Sequence, residues 1–175
     1  DSAFHGSIGT GFRAPAINEL FDPSLGNLDL RPERSFGWEL GLEQPLGDGD
    51  LVVDVTYFRN DIDDLIVFQF DGTGAWGGRL YNVEQALTAG VETTANLRVS
   101  EATSASLGYT SLEARNRTTD SRLVRRPSNT FRVGLDHRFD DEGVRVGLNY
   151  QWVDRRDDFD GAGFVTSLDE YSLLN

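Results

Sequence analysis

The densest group of side chains that could do chemistry is the acidic run DRRDDFDG at residues 154–161. Clustered carboxylates suit hard cations, so this run invites a calcium site. The spacing does not fit the calcium-loop template, because placing Asp158 and Asp160 at loop positions three and five leaves Arg156 at position one. We therefore expect a solvated acidic loop here and predict no metal site.

The remaining reactive side chains form no catalytic constellation. His5 and His137 are the only histidines, and cysteine is absent, which excludes disulfides and thiolate chemistry. The short GTG at residues 9–11 lacks the strand, turn and helix context of a nucleotide-binding loop. The sequence predicts a protein that is not an enzyme, has no catalytic residues and holds no cofactor.

Composition narrows the class of protein further. The 175 residues include 16 basic and 29 acidic side chains, a net charge of −13, which makes nucleic acid a poor partner. The longest uninterrupted apolar run, residues 65–68, is far shorter than the ~20 residues of a membrane-spanning helix. A membrane role would therefore have to rest on β-strands.

Strands are the elements that must position any functional side chain, because period-two alternation dominates the chain. In residues 144–152, every second residue is apolar and those between are polar or glycine. The same split recurs in five further segments, at residues 38–44, 51–57, 91–99, 105–111 and 131–139. The first and last segments of the chain add one strand each, so we predict eight strands.

Short and long connections alternate along the chain. Short polar turns are predicted near residues 45–50, 100–104 and 140–143, and long connections near residues 12–35, 70–79, 112–130 and 153–170. We expect the long connections to be solvated loops, apart from a short helix at about residues 16–21 after Pro15. One end of the predicted sheet thus has short turns, and the other end has long connections.

Alternation alone fits both a soluble β-sandwich and an outer-membrane β-barrel. Tight turns at one end and long loops at the other favour the barrel. Aromatic residues of the apolar face also gather near the long-loop end, as in an interfacial girdle. These residues are Trp38, Tyr57, Tyr109, Phe131, Tyr150 and Trp152. A soluble β-sandwich binding protein with an aromatic core layer is the alternative.

Several motifs, in a fixed order, resemble the barrel strands of TonB-dependent outer-membrane receptors. They are GTGFRAP at 9–15, NLDLRPERSFGWELGLE at 27–43, YFRNDIDDLI at 57–66, YNVEQALTAGVETTANL at 81–97 and LVRRPSNTFRVGLDHRF at 123–139. YNVEQALTAGVE, together with the ARN and LVRRP stretch at 114–127, is most similar to the cobalamin-receptor type.

This resemblance implies an all-β fold, an antiparallel transmembrane β-barrel fragment in which residues 1–175 supply about eight strands of a 22-stranded barrel. It implies that the signal peptide, the plug and the final strands lie outside the chain. The implied function is part of a Gram-negative outer-membrane receptor that takes up a scarce nutrient such as cobalamin or an iron-siderophore. Its implied partners are that small-molecule or metal-chelate ligand, outer-membrane lipid, and TonB through the plug.

Ligand contacts are expected from residues of the long connections that offer aromatic area or hydrogen bonds, since a guanidinium pairs bidentately with anionic oxygens. The candidates are Arg13, Trp76, Arg79, Tyr81, Arg155 and Arg156. Packing between loops, or contact with lipopolysaccharide, is the alternative role for each. For the whole chain, the alternative is a complete eight-stranded structural or adhesive outer-membrane barrel.

Overall fold

The computed structural model describes residues 1–73, 77–139, 143–160 and 164–175, and most of them form one antiparallel sheet. Its strands are β1 (Ala3–Arg13), β2 (Glu33–Leu46), β3 (Leu51–Phe70), β4 (Gly78–Arg98), β5 (Thr103–Asn116), β6 (Ser121–Arg122), β7 (Asn129–Phe139), β8 (Val144–Val153), β9 (Arg156–Phe159), β10 (Val165–Leu168) and β11 (Tyr171–Leu174). A short helix, α1 (Ile17–Phe21), and a 3₁₀ turn (Gly47–Gly49) complete the described elements. Within these described ranges, no helix has the length and apolar character needed to cross a membrane.

The strands of the main sheet follow one another in chain order, interrupted only by β6 and by the β9–β10 hairpin. Their order is β1-β2-β3-β4-β5-β7-β8-β11, with β6 attached to β5, while β9 and β10 form a separate hairpin. The eight strands of this path are the eight that the alternation predicts. The path is open in the described part of the chain, because β1 and β11 lie at its two edges.

Strand register joins the separate apolar alternations into one continuous apolar face. One row across six strands consists of Leu148, Leu135, Ala105, Leu97, Leu51 and Leu46. The adjacent row on the other face consists of Asn149, Gly134, Ser106, Asn96, Val52 and Pro45. The apolar and polar sides that the alternation assigns to separate strands therefore line up as two continuous faces of one sheet.

The apolar face has no second layer packed against it among the described residues. Ile8 is 73% exposed, Val146 54% and Leu148 49%. The hydrophobic residues that are buried lie towards the long connections; they are Leu30, Ile66, Val83, Ala86, Ala89, Ala114 and Val153. A β-sandwich would place a second sheet on this face, and the described strands form one main sheet with only the two-stranded β9–β10 hairpin beside it, which does not fit the β-sandwich alternative.

Strands β3 and β4 are much longer than the alternation predicts, with 20 and 21 residues. Residues 58–66 carry polar side chains on both faces, so the period-two signal is lost there although pairing continues to Phe70 opposite Gly78. Pairing of β4 with β5 ends at Ala86. Beyond it, β3 and β4 continue as a two-stranded extension, residues 63–70 and 78–85, which we call the β3–β4 ribbon.

Two long connections contain more structure than the predicted loops. The connection between β5 and β7 includes β6, and the one between β8 and β11 folds into the β9–β10 hairpin. The predicted short helix is confirmed as α1 in the first long connection. The long connections therefore have defined backbone structure that can position side chains.

Gly90, on the polar face of β4, permits a close approach between strands. A Cβ atom built there would lie 2.1 Å from the Ser111 carbonyl oxygen and 2.8 Å from the Phe58 ring. Phe58 is directly opposite Gly90 and covers it, as aromatic side chains do for strand glycines. Because one of the two contacts is with backbone, rotation of a side chain cannot relieve it.

We expect Gly90→Ala to destabilise the folded full-length protein by about 1–3 kcal/mol through overpacking. Gly108→Ala is the matched control, because it lies on the polar face of β5 with its nearest atom, the Arg132 Cβ, at 3.9 Å. Urea midpoints of the two variants in detergent micelles measure the difference. Equal midpoints would contradict the close approach at Gly90.

Candidate ligand-binding site among the long connections

Two asparagines fix the first long connection to the β3–β4 ribbon. The Asn82 amide accepts the Arg31 N–H at 2.8 Å and donates to the Arg31 carbonyl at 2.9 Å. Asn27 donates to the Leu80 carbonyl at 2.9 Å, and the Leu80 N–H donates to the Leu25 carbonyl at 3.1 Å. The Asn82 side-chain amide both donates and accepts, so it pairs the Arg31 backbone, while Asn27 and Leu25 pair the Leu80 backbone at the free edge of β4.

Arg125 joins the last two long connections. Its backbone N–H donates to the Asp157 carbonyl at 2.7 Å, and its Nε donates to Asp158 Oδ1 at 2.7 Å. The pKa of Asp158 is lowered, because its carboxylate accepts hydrogen bonds from the Arg125 guanidinium and the Phe159 N–H. The β9–β10 hairpin is thereby fixed beside the connection that follows β6.

Three phenylalanines bring the β3–β4 ribbon against the β9–β10 hairpin. The ring centroids of Phe68 and Phe70 lie 4.8 Å apart, and those of Phe70 and Phe159 lie 5.2 Å apart. Phe68 and Phe70 are two residues apart on one strand and so share a face. Both contacts are edge-to-face, the arrangement that aromatic quadrupoles favour.

A cavity of about 780 Å³ opens among these connections. This volume lies in the range of small-molecule sites, which are commonly apolar with a few polar groups. Its apolar lining includes Leu25, Val67, Phe68, Phe70, Leu80 and Phe159, and its charged lining includes Arg125, Arg126 and Asp160. The walls thus combine flat apolar surface with two guanidinium groups.

Arg126 lines the cavity and has guanidinium N–H donors that are not used within the described residues. Among the described residues, the one hydrogen bond of its side chain runs from Nη1 to the Arg125 carbonyl at 3.3 Å. Arg125 is already paired with Asp158. A guanidinium carries five N–H donors in a planar fork, so Arg126 is placed to hold an anionic oxygen of a bound molecule bidentately.

Arg13, a ligand contact in the sequence-based prediction, is held by two carboxylates. It pairs bidentately with Glu33 at 2.8 and 2.6 Å, and its Nη1 donates to Glu19 at 3.0 Å. Glu19 also accepts the Ala16 N–H at 2.7 Å, and Glu33 accepts the Ile66 N–H at 2.9 Å. Arg13 thereby ties α1 and β2 to the end of β1, and it does not line the cavity.

Tyr81 and Arg79 lie in β4 and not in a loop. The Tyr81 hydroxyl donates to Asp71, which also accepts the N–H and the hydroxyl of Thr73 at 2.8 and 2.6 Å. The Thr73 and Tyr81 hydrogen bonds lower the pKa of Asp71 to about 2, and the same contact raises the pKa of Tyr81. These residues organise the tip of the ribbon and are not part of the cavity lining.

The other two described candidates, Arg155 and Arg156, lie in the fourth long connection. Arg156 lies in β9, with its guanidinium carbon 5.5 Å from the centroid of the Tyr171 ring. The Arg155 side chain has no hydrogen bond or ion pair with any residue in the described ranges. Trp76 lies outside the described residues. The structure does not gather the five described candidates into one site.

The residues that form the cavity share no sequence pattern that singles them out. Phe68 and Phe70 belong to the part of β3 that the alternation misses, and Phe159 lies within an acidic run. Arg125 and Arg126 stand together in the LVRRP stretch. The one local signal is this pair of adjacent cations in a long connection of an acidic chain.

An antiparallel wall with tight turns at one end and a ligand-sized cavity among long connections at the other is typical of outer-membrane receptors. The family model described as TonB dependent receptor-like, beta-barrel, matches residues 1–175. The chain therefore belongs to the family of TonB-dependent receptors, which are transporters and receptors and not enzymes. The predicted family and the all-β barrel-fragment fold are confirmed.

Particular relatives include transporters of different ligands. The vitamin B12 transporter BtuB of Vibrio vulnificus (strain YJ016) is 32% identical over 176 residues, which cover 98% of this chain and 26% of that protein. The copper transporter OprC has a TM-score of 0.77 at 19% identity, with 99% of this chain and 27% of that one covered. The ferric enterobactin receptor PfeA of Pseudomonas aeruginosa has a TM-score of 0.76 at 22% identity, with 99% and 29% covered.

These two structural matches show a shared fold alone, because their identities are low. The chain spans about a quarter of the length of the relatives it matches.

We predict that the Asp71 carboxyl titrates at about 2 in the full-length receptor, against ~3.9 for an unperturbed Asp. Because the folded-state pKa is depressed, the carboxylate stabilises the ribbon tip above a pH of ~4, and this contribution is lost as the pH falls towards about 2. Carboxyl NMR of labelled Asp follows the titration. Tyr81→Phe removes one donor and should raise the midpoint; a midpoint near ~4 in both proteins would contradict the hydrogen-bonded tip.

Proposed function

We propose that this chain forms part of the wall of an outer-membrane receptor that takes up a scarce nutrient, with energy supplied through a plug and TonB. The observation that carries the proposal is a single-layered sheet with an uncovered apolar face, in a chain that matches the receptor family throughout. In hydrocarbon, such a face is favourable, and the polar face then borders a wet lumen.

Aromatic side chains of the apolar face support this orientation. The rings of Trp38 and Tyr57 lie 5.3 Å apart, while Phe131 lies opposite both Tyr109 and Trp152. Amphipathic rings are most stable where hydrocarbon meets water. This layer lies near the long-connection ends of the strands, so we place those connections outside the cell and the tight turns in the periplasm.

The cavity beside Phe68, Phe70 and Phe159 is the proposed site of ligand capture. It lies among the connections that we place outside the cell, where an incoming ligand is first met. The likeness to the vitamin B12 transporter supports cobalamin as the ligand. The combination of rings with Arg125 and Arg126 supports an anionic metal chelate, such as an iron-siderophore, as the second candidate.

Residues outside the cavity stay proposed as secondary contacts along the approach of the ligand. They are Arg13, Trp76, Arg79, Tyr81, Arg155 and Arg156. Arg155 carries the strongest case of these, because its guanidinium has no partner in the part of the chain that the structure describes.

Uptake by cells tests the proposal. The full-length parent is expressed in a strain that lacks its own receptors, and uptake of radiolabelled cyanocobalamin and of iron-siderophores is measured with and without TonB. We expect TonB-dependent uptake of one of the two. Uptake of neither, or uptake that does not need TonB, would contradict the proposed function.

Two aromatic variants locate the site. Phe70→Ala should weaken ligand binding about tenfold, or ~1.4 kcal/mol, because an aromatic contact of the cavity wall with the ligand is lost. Phe164→Ala is the matched control, since Phe164 is 72% exposed and does not line the cavity. Equal binding by the two variants would remove the cavity from the proposal.

A further inference from the structure

Arginines follow strand β7 along the polar face of the sheet, from the long connections towards the tight turns. Arg132 and Arg138 lie on this face six residues apart, which is ~20 Å along an extended strand. Arg126, six residues before Arg132, lines the cavity at the outer end. On the neighbouring strand, Arg145 lies directly opposite Arg138. We define the β7–β8 arginine row as Arg132, Arg138 and Arg145.

One carboxylate accompanies this row on the polar face of β5, β7 and β8 in the described part of the chain. It belongs to Asp136, which accepts a hydrogen bond from Arg145 Nε at 3.0 Å. The residues that flank the row on β5 and β8 are uncharged; they are Ser104, Ser106, Gly108, Thr110, Gly147, Asn149 and Gln151. This part of the polar face is therefore net positive, in a chain whose net charge is −13.

The polar face of β2, β3 and β4 carries the opposite charge. Along residues 37–43, 52–60 and 88–96, its charged side chains are Glu39, Glu43, Asp54 and Glu92. His5 of β1 hydrogen-bonds Asp54 at 2.7 Å, and Arg98, at the tight turn after β4, pairs with Asp50 at 2.9 Å. Glu33, at the outer end of β2, is neutralised by Arg13. Charge on the polar face is thus divided, with anions over β2–β4 and cations over β7 and β8.

Arg132 is the member of the row that has no anion of its own. Its side chain is exposed and makes no hydrogen bond or ion pair with any residue in the described ranges. Its neighbours on the two adjacent strands are Gly108 and Gln151. Because Gly108 has no side chain, nothing from β5 covers the guanidinium at this position. The five N–H donors of Arg132 are therefore open to an anionic oxygen that moves along the wall.

Two cavities continue the row at the tight-turn end of the sheet. Their volumes are about 460 and about 330 Å³, and both are lined by Arg98, Ser104 and Asp136. Their charged linings together are balanced, with the arginines Arg98, Arg138 and Arg145 and the carboxylates Asp50, Glu101 and Asp136. An anion is therefore held less strongly here than at Arg132, and passage through a pore needs such weaker sites for release.

We propose that the transported ligand passes this part of the wall along the β7–β8 arginine row, where Arg132 binds its anionic oxygens between the outer cavity and the two inner ones. This inference rests on the proposed function, which supplies the ligand and the lumen. A surface lined by one sign of charge concentrates ligands of the opposite sign, and arginine linings select anions in pores. The carboxylates over β2–β4 repel the same ligand and confine it to the β7–β8 side. The ligand class is a molecule with exposed carboxylate, catecholate or phosphate oxygens.

Uptake by charge variants of Arg132 tests the route. The full-length receptor is expressed in cells that lack their own receptors, and the probes are radiolabelled cyanocobalamin, which carries a phosphodiester, and anionic ferric siderophores. We expect Arg132→Gln to lower the initial uptake rate about threefold and Arg132→Glu about tenfold, because the second change also repels the ligand. Arg132→Lys keeps the charge and should transport at close to the unsubstituted rate. Surface binding, measured in cells without TonB, should be unchanged in all three, because Arg132 does not line the outer cavity.

Arg34→Gln is the matched control. It makes the same charge change on the apolar face of β2, and the Arg34 side chain likewise has no hydrogen bond or ion pair with any described residue. We expect this variant to take up the ligand at the full rate.

Equal uptake by Arg132→Glu and Arg34→Gln would overturn the inference. A matching loss of surface binding would also overturn it, because Arg132 would then belong to the capture site. Increased entry of vancomycin into the Arg132→Gln cells would indicate that Arg132 fastens the plug, which is a third contradicting result.

Should the Arg132 variants be absent from the outer membrane, Gln151→Glu decides. It keeps Arg132 and places a carboxylate directly opposite it on β8, so uptake should again fall about threefold, and a full uptake rate would overturn the inference. The unsubstituted receptor separates the two proposals. If it shows no TonB-dependent uptake of either probe, the proposed function is contradicted, whereas normal uptake by Arg132→Glu contradicts this inference alone.

Discussion

Every backbone N–H and carbonyl of a strand in hydrocarbon must be paired by a neighbouring strand, because lipid offers no hydrogen-bond partner. The ladder from β1 to β11 meets this demand at each internal strand, and its register decides which side chains share a face. A slip of one residue would exchange Leu148 with Asn149 and would turn hydrocarbon towards the lumen. Few hydrophobic side chains of the described residues are buried, so in the orientation that we propose the wall is stabilised by this ladder and by the surrounding lipid.

The same ladder explains how a wall can hold a ligand site. Strands β3 and β4 continue past the end of β5 as a ribbon that carries Phe68 and Phe70 to the level of the connections. Asn82 then fixes the first connection to the ribbon, and Arg125 fixes the last two connections to each other.

Local sequence patterns predict the strands of the sheet but not the cavity, because the cavity is formed by residues that are distant in the sequence. Alternation is a property of single strands, so the strand count, the two faces and α1 can be read from the sequence. The ribbon is missed because the part of β3 that leads into it, residues 59–64, carries polar side chains on both faces and so interrupts the period-two pattern. The cavity joins Leu25, Phe70, Arg126 and Phe159, which no spacing rule connects. Arg13 has the residue type of a ligand contact, but its type does not reveal Glu19 and Glu33.

The orientation of the two faces is the central claim, and spin labels measure it directly. The chain has no cysteine, so single cysteines can be introduced at Leu148 and Asn149, neighbours on opposite faces of β8, in the full-length receptor in bilayers. We predict that the label at 148 collides with lipid-soluble oxygen and that the label at 149 collides with a water-soluble nickel complex. Equal accessibility of the two labels, or the reverse pattern, would contradict it.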